Sequence, residues 1–494
     1  MGKIARMRRL TLLAAIAVTL VPAPAEAGRG LLVGVSEDGL KFEPAAAARD
    51  ARRVGFRAFR ITAQWSPGQR NPNAAQLAEL SRAARGGRGF RVVVSVYADS
   101  PRKAPLTAEL RDEYCSFVRN IAAHYQTFRD FVIWNEPNKS YFWQPQFNAD
   151  GASAAPAAYE ALLARCWDAL HSLRRDANVI APATAANGND KPTAPSNISH
   201  SPGAFIRKVA LAYRASGRRQ PIFDTLGHHI YGLSSAERPW RRHVGSKLIA
   251  EGDWGELVRI VSAAFRGTAQ PVPGRCVAGR CAQIWYMEVG FQTRPDARKA
   301  RAYSGREADP HAVADAVKDD VLSPLPAAAT LASDQASQIR AAIELAYCEP
   351  YVGAIFNFLL WDERPLERWQ SGPYWADQTP KGSFDAFEST IREAEKEAVD
   401  CRVWRRAIGL PVTAPRVAAP KRRPAPPPRR KPKPASPRRA APAPTTAETQ
   451  PTETARRPKR GGHDWAPIVG GIAGGVVAAA GLAVLALRRR RRTA

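Results

Sequence analysis

Three common sequence signatures are missing from this 494-residue chain. It has no Cys-x-x-Cys pair and no cluster of histidines, so the sequence predicts no zinc site and no other metal centre. No glycine-rich phosphate loop follows the first apolar run, where the chain reads VGVSEDGLKF. Such a loop is typical of open sheets that bind nucleotides. The sequence therefore predicts no cofactor.

Acidic residues are also scarce, and the positive charge that results is unevenly distributed. The net charge is +28, of which residues 402–494 contribute +19 and residues 1–27 contribute +3. Residues 28–401 carry only +6 and contain no basic-aromatic motif of the kind found in nucleic-acid-binding modules. We therefore predict no nucleic-acid partner.

The N-terminal 27 residues predict an export signal. A basic region precedes an apolar stretch at 10–21, and Ala-Glu-Ala at 25–27 has the small residues of a cleavage site. We assign 1–27 as a signal peptide. An uncleaved membrane anchor is the alternative, and it leaves the prediction of export unchanged.

The C-terminal part of the chain predicts a tether. Residues 411–464 are rich in Pro, Ala and Arg, a composition that cannot bury a core, and we expect an extended, disordered linker there. Residues 465–487 are uncharged and long enough to cross a bilayer as a transmembrane helix. The basic tail at 488–494 should remain cytoplasmic. The sequence thus predicts a single-pass membrane protein with residues 28–410 outside the cell.

Six cysteines lie in the region predicted to be exported, and an even number there favours disulfide bonds. Spacing alone leaves other connectivities open. The pairs that we predict are Cys276–Cys281, which are close in sequence, Cys115–Cys166, on consecutive predicted helices, and Cys348–Cys401 as the remainder.

Between residues 30 and 401, short apolar runs alternate with amphipathic helical patterns such as those at 107–125 and 157–175. Eight strands with intervening helices predict an α/β fold of the (β/α)8 TIM barrel type, in which the active site lies at the carboxyl ends of the strands. A doubly wound open sheet is the alternative. The predicted strands are 31–35, 57–61, 91–96, 131–134, 178–181, 222–227, 283–287 and 353–358.

Polar and aromatic residues cluster where these predicted strands end. Glu136 follows the fourth strand and Glu288 the seventh, so their carboxylates can face each other across the mouth of a barrel. Such a pair suits glycoside hydrolysis, in which one acid protonates the leaving oxygen and the other carboxylate attacks the anomeric carbon. The other candidates at strand ends are Arg60, Trp65, Asn135, Trp143, His228, His229, Tyr231 and Trp361.

The motifs around these residues resemble clan A of the glycoside hydrolases, most closely the family 39 and family 5 type enzymes. The motifs are IWNEPN followed by YFW, then DTLGHHIY, WYMEVG and a tryptophan after the last strand. The resemblance covers residues 30–400 and implies a (β/α)8 barrel with glycosidase activity. The end of the third strand, SVYADSPRKAP, matches no residue of the family pattern, which leaves the substrate class open.

The resemblance implies that Glu136 is the acid/base and Glu288 the nucleophile. Arg60 would keep Glu288 ionised, and His229 and Tyr231 would form hydrogen bonds around it. A second histidine beside His229 leaves the register at this strand open. If the reaction is a double displacement, we expect the two carboxyl groups to lie about 5 Å apart.

The resemblance also implies a set of substrate-binding residues. Asn135 would bind the sugar 2-hydroxyl, and Trp361 would stack under the reacting sugar. Trp143 and Trp65 are further candidates for contacts with sugars, although aromatic residues near a barrel mouth also pack in the core.

The leading interpretation is a surface-tethered, retaining glycosidase that acts on an extracellular or cell-wall polysaccharide or glycoconjugate. A carbohydrate-binding pseudoenzyme that serves as an adhesin or wall sensor is one alternative. A transglycosylase that remodels wall glycans with the same residues is another. The sequence leaves the sugar, the linkage, endo or exo action and the oligomeric state open.

Overall fold

The computed structural model of the protein describes residues 30–307, 309–316 and 333–410. The predicted signal peptide (1–27), linker (411–464), transmembrane helix (465–487) and basic tail (488–494) lie outside the described residues. Within those three ranges, no helix is both long and apolar enough to cross a membrane.

Eight parallel strands form a closed barrel in which each strand pairs with the next and the eighth pairs with the first. All eight predicted strands are present, and their ends differ from the predicted ends by at most three residues. Buried apolar runs predict these strands well because both faces of a parallel barrel strand are covered. The strands are β1 (Leu32–Ser36), β2 (Ala58–Gln64), β3 (Arg91–Tyr97), β4 (Asp130–Ile133), β5 (Asn178–Thr184), β6 (Thr225–His229), β7 (Ile284–Val289) and β8 (Val352–Asn357).

The helical layer consists of ten α-helices in the described part of the chain. The amphipathic patterns at 107–125 and 157–175 are confirmed as the fourth and fifth of these helices. Their apolar faces are buried against the barrel, as the helical period predicts. The helices are α1 (Gly39–Phe42), α2 (Pro44–Val54), α3 (Ala74–Gly86), α4 (Ala108–His124), α5 (Ala155–Leu173), α6 (Pro202–Ala215), α7 (Trp254–Ala264), α8 (Gln335–Cys348), α9 (Phe384–Glu395) and α10 (Cys401–Ala407).

The barrel interior is filled by side chains and is a packed core. Residues such as Val93, Trp285 and Phe356 form a buried cluster there. Gly34 on β1 is required by this packing, because a Cβ at that position would lie only 2.6 Å from the ring of Phe356. With the interior filled, polar chemistry is confined to the rim at the carboxyl ends of the strands.

Three disulfide bonds confirm the pairs predicted from the sequence. Cys115–Cys166 joins α4 to α5, Cys348–Cys401 joins α8 to α10, and Cys276–Cys281 closes a small loop before β7. The first two bonds therefore fasten neighbouring elements of the helical layer to each other. Bonds of this kind persist in oxidising compartments.

Candidate active site

The carboxyl ends of β4, β6 and β7 bring two carboxylates and an imidazole together. Glu136 follows β4, His229 ends β6 and Glu288 lies one residue before the end of β7. One possible ligand atom from each of the three side chains lies within 4.8 Å of the other two. The structure thus places the two predicted carboxylates side by side at the barrel mouth.

The chain leaves β4 in a strained conformation. Trp134 and Glu136 have φ angles of 67° and 39°, in the left-handed region that residues other than glycine seldom adopt. The fully buried indole of Trp134 donates a hydrogen bond of 2.8 Å to the Phe142 carbonyl oxygen. The backbone N–H of Glu136 donates one of 3.1 Å to the Ala183 carbonyl oxygen on β5. These contacts hold a backbone that costs roughly 1–3 kcal/mol per strained residue, and they fix where Glu136 emerges.

Both oxygens of Glu288 are held by hydrogen-bond donors. Arg60 donates from Nη1 to Oε1, and the Tyr231 hydroxyl donates to Oε2 over 3.2 Å. Burial by itself would raise the pKa of Glu288. The charges of His229 and Arg60 and the hydrogen bonds from Arg60 and Tyr231 outweigh burial, so the pKa lies below its ordinary value of 4.5. Glu288 is therefore an ionised carboxylate at neutral pH.

His229 connects the two carboxylates. Its Nδ1 lies 2.8 Å from Oε1 of Glu136 and 3.4 Å from Oε2 of Glu288. The neighbouring His228 faces away from them, since its ring nitrogens pair with the Thr184 hydroxyl at 2.9 Å and the Ile249 carbonyl at 2.8 Å. Burial lowers the pKa of His228 to about 4. The histidine beside the carboxylates is thus His229, the one favoured from the sequence.

Arg60 is itself fixed by side chains from β1, from β3 and from the segment after β4. Its Nη1 donates to the Ser36 hydroxyl over 3.1 Å, and its Nη2 donates to the Ser95 hydroxyl over 3.1 Å and to Oδ1 of Asn135 over 2.7 Å. The amide oxygen of Asn135 therefore already accepts a hydrogen bond from Arg60. The amide nitrogen of Asn135 makes no hydrogen bond within the described residues, so it remains able to donate to a ligand.

Two of the predicted sugar-binding tryptophans belong to the core. Trp65 and Trp143 are both 0% exposed. Trp65 packs edge-on against Tyr114 with ring centres 5.4 Å apart, and Trp143 packs edge-on against Trp134 at 5.3 Å. A ring with both faces covered cannot stack on a sugar, so the prediction of Trp65 and Trp143 as substrate contacts is wrong.

Trp361 is turned towards the helical layer. Its indole N–H donates a 3.1 Å hydrogen bond to Asp50 on α2. The ring also covers Gly39 at the start of α1, where an added Cβ would lie 2.9 Å from a ring carbon. No hydrogen bond or ring contact within the described residues joins Trp361 to either carboxylate, and its hydrogen bond directs it towards α2.

Two aromatic residues that no sequence pattern marks are connected to Glu288 through Tyr231. The ring of Trp369 is 5.1 Å from the ring of Tyr231, which donates to Glu288, and 5.4 Å from the ring of Phe358. Phe358 and Trp369 are both partly exposed. Phe358 ends the predicted strand 353–358, and Trp369 lies in the loop after β8, where no periodic pattern marks it. Together they offer an aromatic surface beside Glu288.

The same three side chains have donor atoms close enough to surround a cation. Arg60 already places a positive charge on Glu288, and a cation bound there would be repelled by it. The arrangement of Glu136, His229 and Glu288 therefore fits acid–base and nucleophilic chemistry by two carboxylates better than it fits the binding of a metal ion.

No family model and no curated protein sequence matches the chain. Solved structures that it matches include a monomeric β-xylosidase from Caulobacter crescentus CB15, with 17% identity, 74% of this chain and 69% of that chain covered, and a TM-score of 0.44. A glucosidase from Croceicoccus marinus matches with 12% identity, coverage of 75% and 69%, and a TM-score of 0.48. GH5_18 from Streptomyces cattleya, in complex with GlcNAc, matches with 16% identity, coverage of 76% and 82%, and a TM-score of 0.44.

These matches are glycoside hydrolases, and at such identities and TM-scores they assign no family or activity to this chain. The fold is established by the closed barrel of eight parallel strands itself. The chain is a (β/α)8 barrel, the fold that the clan A resemblance of its motifs predicts.

Proposed function

We propose that this protein is a retaining glycoside hydrolase with Glu136 as the acid/base and Glu288 as the nucleophile. The observation that carries the proposal is the close approach of the two side chains, whose nearest oxygens lie within 4.8 Å. Retaining enzymes place their carboxyl groups about 5–5.5 Å apart, whereas inverting enzymes need about 6.5–9.5 Å to admit a water. The spacing favours attack by Glu288 itself.

The surroundings of the two carboxylates support this division of roles. Glu288 has a lowered pKa and is bonded to Arg60, so it is ionised and held in one orientation. The carboxyl group of Glu136 has His229 as its only hydrogen-bond partner in the described part of the chain, and the residue is partly exposed. One oxygen of Glu136 therefore remains free to exchange a proton with a ligand or a water.

Two displacements would complete the reaction. In the first, an oxygen of Glu288 forms a bond to the anomeric carbon while Glu136 gives its proton to the departing glycosidic oxygen. In the second, Glu136 takes a proton from water, the water oxygen bonds to the anomeric carbon, and the ester bond to Glu288 breaks. Each step inverts the anomeric carbon, so the overall configuration is retained.

The contacts that hold the sugar follow from the groups left unpaired. The free amide nitrogen of Asn135 is positioned beside Arg60 and donates to the 2-hydroxyl of the sugar under attack. We assign the stacking surface to Phe358 and Trp369 in place of Trp361, because the partly exposed Trp369 ring packs against Tyr231 and the partly exposed Phe358 ring packs against Trp369. Exposed aromatic rings bind the apolar face of a sugar by stacking against it, which buries apolar surface of both.

We also propose that the enzyme acts outside the cell on wall or other extracellular glycans, held to the membrane by residues 465–487. The export signal, the long basic linker and the three disulfide bonds support this location. Full-length protein should sediment with membranes, and a chain ending at residue 410 should appear in the medium. Retention of the shortened chain on membranes would contradict the assignment of the anchor.

A panel of substrates tests the proposed activity directly. The full-length protein in mild detergent is assayed on 4-nitrophenyl β-glycosides of glucose, xylose and mannose and on wall polysaccharides. We expect release of nitrophenol or of reducing sugar from at least one of them. Sugar binding by calorimetry without any turnover would favour the pseudoenzyme instead, and lengthened oligosaccharides would indicate a transglycosylase.

A further inference from the structure

Tyr97 lies at a strand end for which the sequence patterns offer no candidate residue. It is the last residue of β3. Two earlier residues of this strand point inwards: Val93 belongs to the barrel interior, and the Ser95 hydroxyl accepts from Arg60 over 3.1 Å. Alternate residues of a strand share a face, so Tyr97 is the next residue on the inward face and stands at the rim.

The hydroxyl of Tyr97 lacks the partner that its burial would require. The residue is 6% exposed, yet its hydroxyl makes no hydrogen bond within the described ranges, and it is not one of the fully enclosed polar atoms there. Nearby buried tyrosines behave differently. The hydroxyl of Tyr114 donates to the Val96 carbonyl over 2.7 Å, and that of Tyr159 donates to the Ile133 carbonyl over 2.6 Å. Because buried tyrosine hydroxyls are normally paired, the hydroxyl of Tyr97 is left for a ligand.

The surroundings of Tyr97 keep it protonated and in place. Burial raises the pKa of Tyr97; the Arg60 charge opposes this shift, and the charges of Glu288 and Glu136 add to it. The hydroxyl is therefore a hydrogen-bond donor throughout the neutral range. The Phe142 ring packs edge-on against the Tyr97 ring with centres 6.1 Å apart, which restricts the direction of the hydroxyl.

We propose that the Tyr97 hydroxyl donates a hydrogen bond to the 3-hydroxyl of the sugar whose glycosidic bond is cleaved. This inference rests on the proposed glycosidase function. Asn135, after β4, is assigned the 2-hydroxyl, and Tyr97 ends β3, the strand adjacent to β4. The 3-hydroxyl is next to the 2-hydroxyl on the sugar ring. If the Asn135 amide nitrogen donates to the 2-hydroxyl, the Tyr97 hydroxyl on the adjacent strand is the donor for the 3-hydroxyl. Tyr97 thereby determines specificity, because a sugar without this hydroxyl leaves the donor unpaired.

The test is the substitution Tyr97→Phe in the full-length protein, which removes one oxygen and keeps the ring. On the 4-nitrophenyl glycoside that the wild type hydrolyses fastest, kcat/KM should fall about tenfold, equivalent to about 1.4 kcal/mol. On the 3-deoxy analogue of that glycoside, Tyr97→Phe and the wild type should have equal kcat/KM, because the same bond is already missing. The thermal midpoint should not fall, since the hydroxyl has no partner in the described protein.

Tyr125→Phe is the matched control. Its hydroxyl donates to the Leu77 carbonyl over 2.8 Å and lies 2.9 Å from the Ser81 hydroxyl, so its loss should lower the thermal midpoint and leave kcat/KM unchanged. Unchanged kcat/KM in Tyr97→Phe, or an equal loss on the 3-deoxy analogue, would overturn the role of Tyr97 and leave the glycosidase proposal standing. A wild type that hydrolyses no glycoside would overturn both.

Discussion

Glu288→Gln is expected to lower kcat by a factor on the order of 10⁶, the scale seen when an enzyme nucleophile is removed. An amide of nearly the same shape has no negative charge with which to attack the anomeric carbon. Arg60 loses its charged partner in this variant, so some loss of stability is expected as well. Activity is therefore measured well below the thermal midpoint, together with calorimetric binding of the substrate, which should persist.

Glu251→Gln is the matched control for a buried glutamate outside the site. Glu251 is 1% exposed, and neither carboxyl oxygen has a hydrogen-bond partner in the described ranges. Burial and the nearby Glu349 raise the pKa of Glu251 well above its ordinary 4.5. Because the pKa is higher in the folded than in the unfolded protein, the stability that the Glu251 carboxyl contributes is fully present below pH 4.5. It is lost as the pH rises through the folded-state pKa of Glu251. The variant should be more stable than the wild type at neutral pH, about equal at pH 4, and fully active. Equal loss of activity in Glu251→Gln and Glu288→Gln would contradict the nucleophile assignment.

Glu136→Ala should show a loss of activity that depends on the leaving group. With oligosaccharide substrates, whose sugar leaving group needs a proton, the rate should fall by roughly 10²–10⁴, the usual contribution of a general acid or base. With 2,4-dinitrophenyl glycosides, bond cleavage needs no proton, so formation of the glycosyl-enzyme should be nearly unimpaired. Azide should then restore turnover, because it attacks the intermediate without a general base.

Mass spectrometry, which detects a glycosyl azide, and proton NMR, which assigns its anomeric configuration, together separate the two roles. Glu136→Ala in azide should yield a glycosyl azide of the same anomeric configuration as the substrate. If azide restored turnover in Glu288→Gln but not in Glu136→Ala, the two roles would have to be exchanged, with Glu288 as the acid/base and Glu136 as the nucleophile. The exposed Glu109→Ala on α4 serves as a control and should behave as the wild type in both assays.

The positions of the two carboxylates were predictable because a simple rule governs them. Buried apolar runs mark the strands of a parallel barrel, and side chains just after those strands meet at one rim. Glu136 and Glu288 follow such runs directly in the sequence, so no detail of packing was needed to bring them together. Arg60 and His229 followed from the family resemblance.

The tryptophans were not predictable in the same way. The sequence shows that Trp65, Trp143 and Trp361 lie near strand ends, but the direction of each ring is decided by packing between elements far apart in sequence. Trp361, for example, is held by Asp50 on α2. Trp369 reaches Tyr231 only because of the path of the loop after β8. Tyr97 directly follows the predicted strand 91–96, and its importance lies in an unpaired hydroxyl that only the structure reveals.

The central claim, that Glu288 forms a covalent bond to the sugar, is tested most directly by the stereochemistry of the first product. Proton NMR follows hydrolysis of an active β-glycoside from the first minutes, before the released sugar equilibrates between its anomers. Double displacement predicts that the β-anomer appears first and that the α-anomer follows only by mutarotation. Initial release of the α-anomer would contradict the nucleophilic role of Glu288 and would require a water between the two carboxylates.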